Sequence, residues 1–293
     1  MCTASVCPKL CPVSSGGEVG LLERMRILLL GLAAANLLVT SAAARPKAPP
    51  SAACGPTVPF LRVGIADGVV RPRWIYGTPG ERPVLFLAGL KIDANGAPRA
   101  YHPDDVSGLD ALANAREGGR WVGVVTDRWG HPFVQRPNDP APGFYVSNTA
   151  LEDPLVPDPA DPRRFVDADR VPYIALPGGA KARAAYRGID LNLGDLAVIY
   201  NIRTRRTAAA LFADLGPAHA LGEGSIELAR RLGYDDTSPR HGGTAARENV
   251  FLVFPGSGSG FPRDAQHMER TVRAFLAGWG GERRLQDCAL TLD

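Results

Sequence analysis

Little in this chain of 293 residues can bind a metal: it has five cysteines and five histidines. His102, His131, His219, His241 and His267 show no ligand spacing such as H-E-x-x-H, so neither a metal nor a cofactor is expected. Long apolar runs are also missing. The best, ILLLGLAAANLLVT at 27–40, falls short of the roughly 20 residues a spanning helix needs, which argues against stable membrane insertion. Excess charge is absent as well: 33 Lys and Arg against 30 Asp and Glu leave +3, too little for an electrostatic nucleic-acid footprint. No repeat of 20–50 residues points to a solenoid or propeller. What the chain has in quantity is Gly (33) and Pro (26). Such a density of chain breakers suits many short strands joined by turns.

The apolar run at 27–40 follows Arg24 and Arg26 and precedes SAAARP, with Ala42 and Ala44 at A-x-A spacing. This is the pattern of a secretory signal peptide starting at Met25 or at Met1, with cleavage near Ala44. The expected protein is therefore secreted, extracellular or periplasmic. Residues 1–44 are read as extension and signal, 45–53 (RPKAPPSAA) as a stiff solvated tether, and 54–293 as one folded domain.

Cleavage would remove Cys2, Cys7 and Cys11 and leave Cys54 and Cys288. Two cysteines in an exported protein suggest one disulfide, with two free thiols as the alternative.

Short runs rich in Val, Ile, Phe and Tyr predict strands at 84–90, 121–127, 171–176, 196–200, 208–214 and 250–254. Three helices are predicted: one opened by the Ser107-x-x-Asp110 capping box, one capped by Ser225 and ended by Gly233, and one capped by Asp264. The class is mainly β with a few helices.

Chemistry concentrates between 194 and 243. Asp214 falls at a strand end, and Glu223 lies nine residues later, two before the Ser225 cap. Gly216, Gly222 and Gly224 leave room beside both carboxyls. Two carboxyls facing one cleft are the apparatus of glycosidic bond cleavage, one donating a proton while the other activates water or attacks carbon. Spacing alone also fits a solvated loop Asp and a Glu placed to favour the helix dipole.

The segments IYN, FADLGP, GEGSIELARRLG and PRHGGTAARENVFLVFPGSG, with KIDANGAPRAYHPDD, PAPGFYVSNTALED and DADRVPYIALPGG before them, resemble glycoside hydrolase family 75, the endo-chitosanases of fungi and bacteria. The resemblance covers most of residues 84–259. It implies that Asp214 and Glu223 are the catalytic acids of an inverting enzyme cleaving β-1,4 glucosamine linkages. We read Glu223 as acid and Asp214 as base, an order that sequence leaves open because it shows neither burial nor distance. The family's Asp-x-Asp-Cys-Asp-Gly stands here as Ile92-Asp93-Ala94-Asn95-Gly96, so Asp93 is either a substrate subsite or part of an ordinary turn. Tyr200 and Asn201 end a strand in the family-like block and are substrate-binding candidates.

The strand, Asp-x-x-Pro, loop and Leu-rich helix are also reminiscent of the double-psi β-barrel of expansins, and a double-psi-like barrel is the fold expectation. That likeness keeps two rivals open, a non-hydrolytic wall-binding barrel and a peptidoglycan-active enzyme. The expected partner is a polysaccharide, chitosan or a related amino-sugar glycan, bound by a monomer. One feature runs against chitosan, a polycation: RTRR at 203–206 is read as lying beside the site.

Overall fold

The computed structural model describes residues 54, 55, 57–64 and 73–292. The expected signal peptide and tether lie outside these residues.

The chain enters through β1 (Val58–Val63) and β2 (Arg73–Gly77), an antiparallel pair whose second strand leads into β3 (Val84–Asp93). A two-residue hairpin, β4 (Arg116–Glu117) and β5 (Arg120–Trp121), stands apart. Then come β6 (Tyr173–Pro177), α1 (Ala180–Gly188), β7 (Leu196–Asn201), β8 (Thr207–Gly216), β9 (Glu223–Ser225), α2 (Ile226–Leu232), β10 (Thr244–Phe254), α3 (Ala265–Trp279) and α4 (Gly281–Ala289). Strands β3, β10, β7, β8, β6 and β9 pair in that order, and β9 pairs back to β3, closing a six-stranded barrel. Two of its pairings, β6 with β8 and β3 with β9, are parallel. The domain is mainly β, with a double-psi-like barrel as its centre.

Closure explains why β3, β7 and the second half of β10, Val250 to Phe254, read as nearly unbroken apolar runs: they are buried on both faces, by the barrel interior and by the helices and loops outside. Phe86 and Phe251 stack inside with centroids 4.6 Å apart, a contact worth about 0.5–1.5 kcal/mol beyond its area. Cys54 and Cys288 form a disulfide that ties the first described residues to α4 across 234 positions.

Two expected elements do not form. Ser107 caps no helix, because its hydroxyl and amide both turn back to the Asp104 carboxylate, at 2.7 and 2.8 Å. The amides of Leu109 and Asp110 go instead to the carbonyls of Arg99 and Ala100. Residues 121–127 yield only Arg120–Trp121 of a strand, the rest being held by the single bridges Val124 to Ser147 and Thr126 to Pro132. The Ser225 and Asp264 caps do form, each side chain accepting from first-turn amides. Among the described residues no helix is long and apolar enough to cross a membrane.

Candidate active site

One row of the barrel carries both predicted acids. Ala175 of β6 is paired on one side with Asp214 of β8 and on the other with Glu223 of β9. Glu223 is in turn paired with Lys91 of β3. Residues in register on neighbouring strands point to the same face. Asp93, two residues beyond Lys91, lies on that face too. Asp93, Asp214, Glu223 and Lys91 all line one cleft of ≈ 500 Å³.

Asp214 is buried, 7% exposed. Its Oδ2 accepts from Asn95 Nδ2 at 3.0 Å and its Oδ1 from the Ala150 amide at 2.8 Å. The loop that supplies Ala150 is itself fastened to β8, Leu151 N donating to the Ala213 carbonyl. Burial pushes the Asp214 carboxyl up to about 6, against the hydrogen bonds that pull it down.

Glu223 sits in a strand rather than at the helix start, so it is not a helix-dipole group. The carbonyl of the preceding Gly222 accepts from Lys91 N at 2.7 Å. Gly222 has φ +86°, and a Cβ there would strike the Gly89 carbonyl oxygen, so glycine is required. Lys91 Nζ stands 3.2 Å from Glu223 Oε1. Burial works against the Lys91 ammonium, but Glu223 together with Asp93 and Asp110 holds Lys91 above its usual range. The other oxygen of Glu223 leans across Ala175 toward Gly216, two residues along β8 from Asp214. Two residues of strand span about 6.6 Å.

Asp93 is 5% exposed and fully engaged: Oδ1 accepts from Asn95 N at 2.9 Å and Oδ2 from the Tyr173 hydroxyl at 2.9 Å. Burial, with Glu223 and Asp214 nearby, drives its carboxyl well above the usual range. The turn reading of this segment holds. Asp93 lines the cleft, and the residues after it make a turn closed by Ala97 N to the Ala94 carbonyl.

Tyr200 and Asn201 are not brought to the cleft. Both are buried at the far end of β7, where Asn201 Nδ2 donates to Asn249 Oδ1 at 2.8 Å and packs with Tyr234 and Glu248. The substrate-binding assignment of these two is thus corrected: they secure the β7–β8 hairpin. The same geometry moves RTRR away. That turn precedes Thr207, seven residues before Asp214 on the same strand, or about 23 Å, and none of its arginines lines the cleft.

Sequence reasoning passed over Lys91, Asn95, Tyr101 and Tyr173. Lys91 carried a signal, being the one exposed position in a strand otherwise buried throughout. Tyr101 is 1% exposed and donates to Asn95 Oδ1 at 2.9 Å. The Arg116 guanidinium covers the Trp121 ring at 3.8 Å. Among the described residues no group of three or more His, Cys, Asp or Glu is placed to hold a metal ion.

The chain matches no family model and no curated protein.

Proposed function

We propose that this protein is an inverting glycoside hydrolase of the family 75 kind, cleaving chitosan or a related amino-sugar glycan. The observation that carries this reading is the placement of Asp214 and Glu223 on either side of Ala175, facing one cleft. Glu223 Oε2 reaches toward Gly216, two residues along β8 from Asp214, so the two carboxyls share one face without touching the same position. An inverting pair works at ~6.5–9.5 Å, with room for a water between the carboxyls.

The surroundings support the opposite order of roles from the one read in the sequence. Burial favours the proton on Asp214, and Lys91 Nζ stands 3.2 Å from Glu223 Oε1. A buried carboxyl that keeps its proton suits the acid, which leaves Glu223 as the base. Asp214 then donates its proton to the glycosidic oxygen as the bond to C1 breaks. Glu223 takes a proton from the water that attacks C1 from the opposite face.

Carboxyl groups on the cleft wall support an amino-sugar substrate, whose ammonium and hydroxyl groups they can bind. Asp110 and Glu117 join the three inner carboxyls on the cleft wall, giving five acids against Lys91, Arg116 and Arg183. Sugar-stacking faces are scarce there, the sole Tyr, Trp or Phe of the lining being the buried Tyr101. A second reading, peptidoglycan cleavage, draws on Arg116 and Arg183, which have no carboxylate partner among the described residues and could meet an anionic glycan.

The test is release of new reducing ends from chitosans of graded acetylation, beside peptidoglycan and β-glucan. Asp214→Asn and Glu223→Gln should each lower the rate by about 10²–10⁴ while the fold persists, the usual worth of positioned proton transfer. Binding without product from any polymer would replace this reading with the wall-binding barrel. Product from peptidoglycan alone would select the second reading.

A further inference from the structure

Asn95 has all four of its polar groups engaged by the site. Its amide N–H donates to Asp93 Oδ1 at 2.9 Å, and its carbonyl stands 2.9 Å from the Tyr173 hydroxyl, sharing that one hydrogen with Asp93 Oδ2. Its side-chain Oδ1 accepts from the Tyr101 hydroxyl, and its Nδ2 donates to Asp214 Oδ2. A side-chain amide can be turned either way, and which end faces a carboxylate decides whether it donates or repels. Here Tyr101 and Asp214 decide it together. The Tyr101 hydroxyl, buried beyond easy ionisation, keeps its hydrogen and donates it to Oδ1. The Asp214 carboxylate can only accept, which draws the NH₂ end toward it. Gly123 keeps this arrangement open, because a Cβ at that position would come to 2.5 Å from Asn95 Oδ1.

We propose that Asn95, locked in orientation by Tyr101, is a positioning residue that aims the Asp214 carboxyl into the cleft and sets how firmly it holds a proton. The inference rests on the reading of Asp214 as the group that titrates during catalysis. An N–H donated to a carboxylate favours its charged form. Without it, Asp214 would keep its proton to higher pH, because the charges around it add to burial. Glu223 of β9 presses on it as a like charge. Asp93 of β3, its own carboxyl pushed well up, lines the same cleft, and Lys91 of β3 pairs with Glu223. Tyr173 of β6 and Tyr101 are neutral donors directed elsewhere. Asp110, Arg116 and Glu117 on one wall, with Arg183 of α1 and His219, complete the charged and titratable lining.

Two variants separate orientation from presence. Tyr101→Phe keeps the buried ring and removes the donor that fixes the amide. Asn95→Asp keeps the shape and replaces the donating NH₂ with an oxygen. The Asp214 carboxyl is titrated by carbon NMR in protein labelled at the aspartate side chains, its signal assigned by its loss in Asp214→Asn. Both variants should raise its midpoint by about one pH unit or more, the worth of one charge-assisted hydrogen bond. The alkaline limb of the rate profile should move up with it. A merely structural residue would lower activity without moving either midpoint. If the Asp214 midpoint stays within about 0.3 units of wild type in both folded variants, on a scale where one charge-assisted bond is worth a full unit, the inference falls. Because the titration needs no substrate, a shifted midpoint in a protein that cleaves no polymer would uphold the role of Asn95 and defeat the hydrolase reading instead.

Discussion

The Oε2 atom of Glu223 occupies the place where a Cβ on Gly216 would stand. Gly216 is therefore a glycine because of what another strand sends toward it, and its φ lies outside the left-handed region, so alanine is allowed by the backbone. Gly216→Ala should displace the Glu223 carboxyl by about an ångström. A misplacement of that size can cost on the order of 10² in rate. We expect kcat to fall at least tenfold with the unfolding midpoint little changed, checked by initial rates beside a thermal melt. A wild-type kcat would show that the carboxyl has room to move.

Lys91 Nζ stands 3.2 Å from Glu223 Oε1. Lys91→Met removes this partner of the carboxyl group, and kcat should fall at least tenfold, the scale on which a misplaced catalytic group costs rate, with the thermal midpoint little changed. Initial rates beside a melt check this, and a wild-type kcat would show that Glu223 holds its place without the ammonium.

Asp214 also leaves a signature in stability. Its folded carboxyl titrates at about 6 against an ordinary 3.8, so the folded state holds its proton more tightly than the unfolded chain does. Stability from this source is complete below pH ~4 and is lost as pH rises through ~6. The stability of Asp214→Asn relative to wild type should accordingly increase between pH 4 and pH 8, by on the order of 3 kcal/mol for about two pH units. Denaturant unfolding at the two pH values measures this difference of differences, and a flat difference would place Asp214 at an ordinary acidity.

The Cys54–Cys288 bridge closes nearly the whole described chain. Constraining so long a loop is worth about 3–5 kcal/mol. Replacing both cysteines by serine should lower the melting midpoint by roughly 10 °C while leaving kcat intact, because neither residue lines the cleft.

The barrel was legible where local pattern and tertiary context agree. The apolar runs at 84–90, 196–200, 208–214 and 250–254 became β3, β7, β8 and β10, and the caps at Ser225 and Asp264 opened α2 and α3. Ser107 failed because Asp104, only three residues away, competes for the same hydroxyl, and a capping box says nothing about rival acceptors. β9 has three residues, too few for any alternation to register, yet it closes the barrel and carries Glu223. Tyr200 and Asn201 were misplaced for a topological reason: one long strand, β8, separates the two ends of the hairpin, so adjacency in sequence to the acidic block did not mean adjacency in space. The support given to Asp214 by Asn95 joins residues 119 positions apart. No local window contains it.

Separation of the RTRR turn from the acids also governs how a charged polymer would meet the protein. A cationic glycan would meet a chain of formal charge +3, yet the carboxyls and the arginine turn stand about 23 Å apart along β8. At 0.1 M salt the Debye length is about 10 Å, so a cationic chain approaching the acidic end is shielded from the turn. At 0.01 M it is about 30 Å, and the whole molecule repels the substrate as one charge. Cleavage of a cationic glycan at low substrate concentration should therefore quicken as salt rises from 0.01 to 0.1 M, the reverse of ordinary electrostatic steering. Neutralising the three arginines of that turn should abolish the effect.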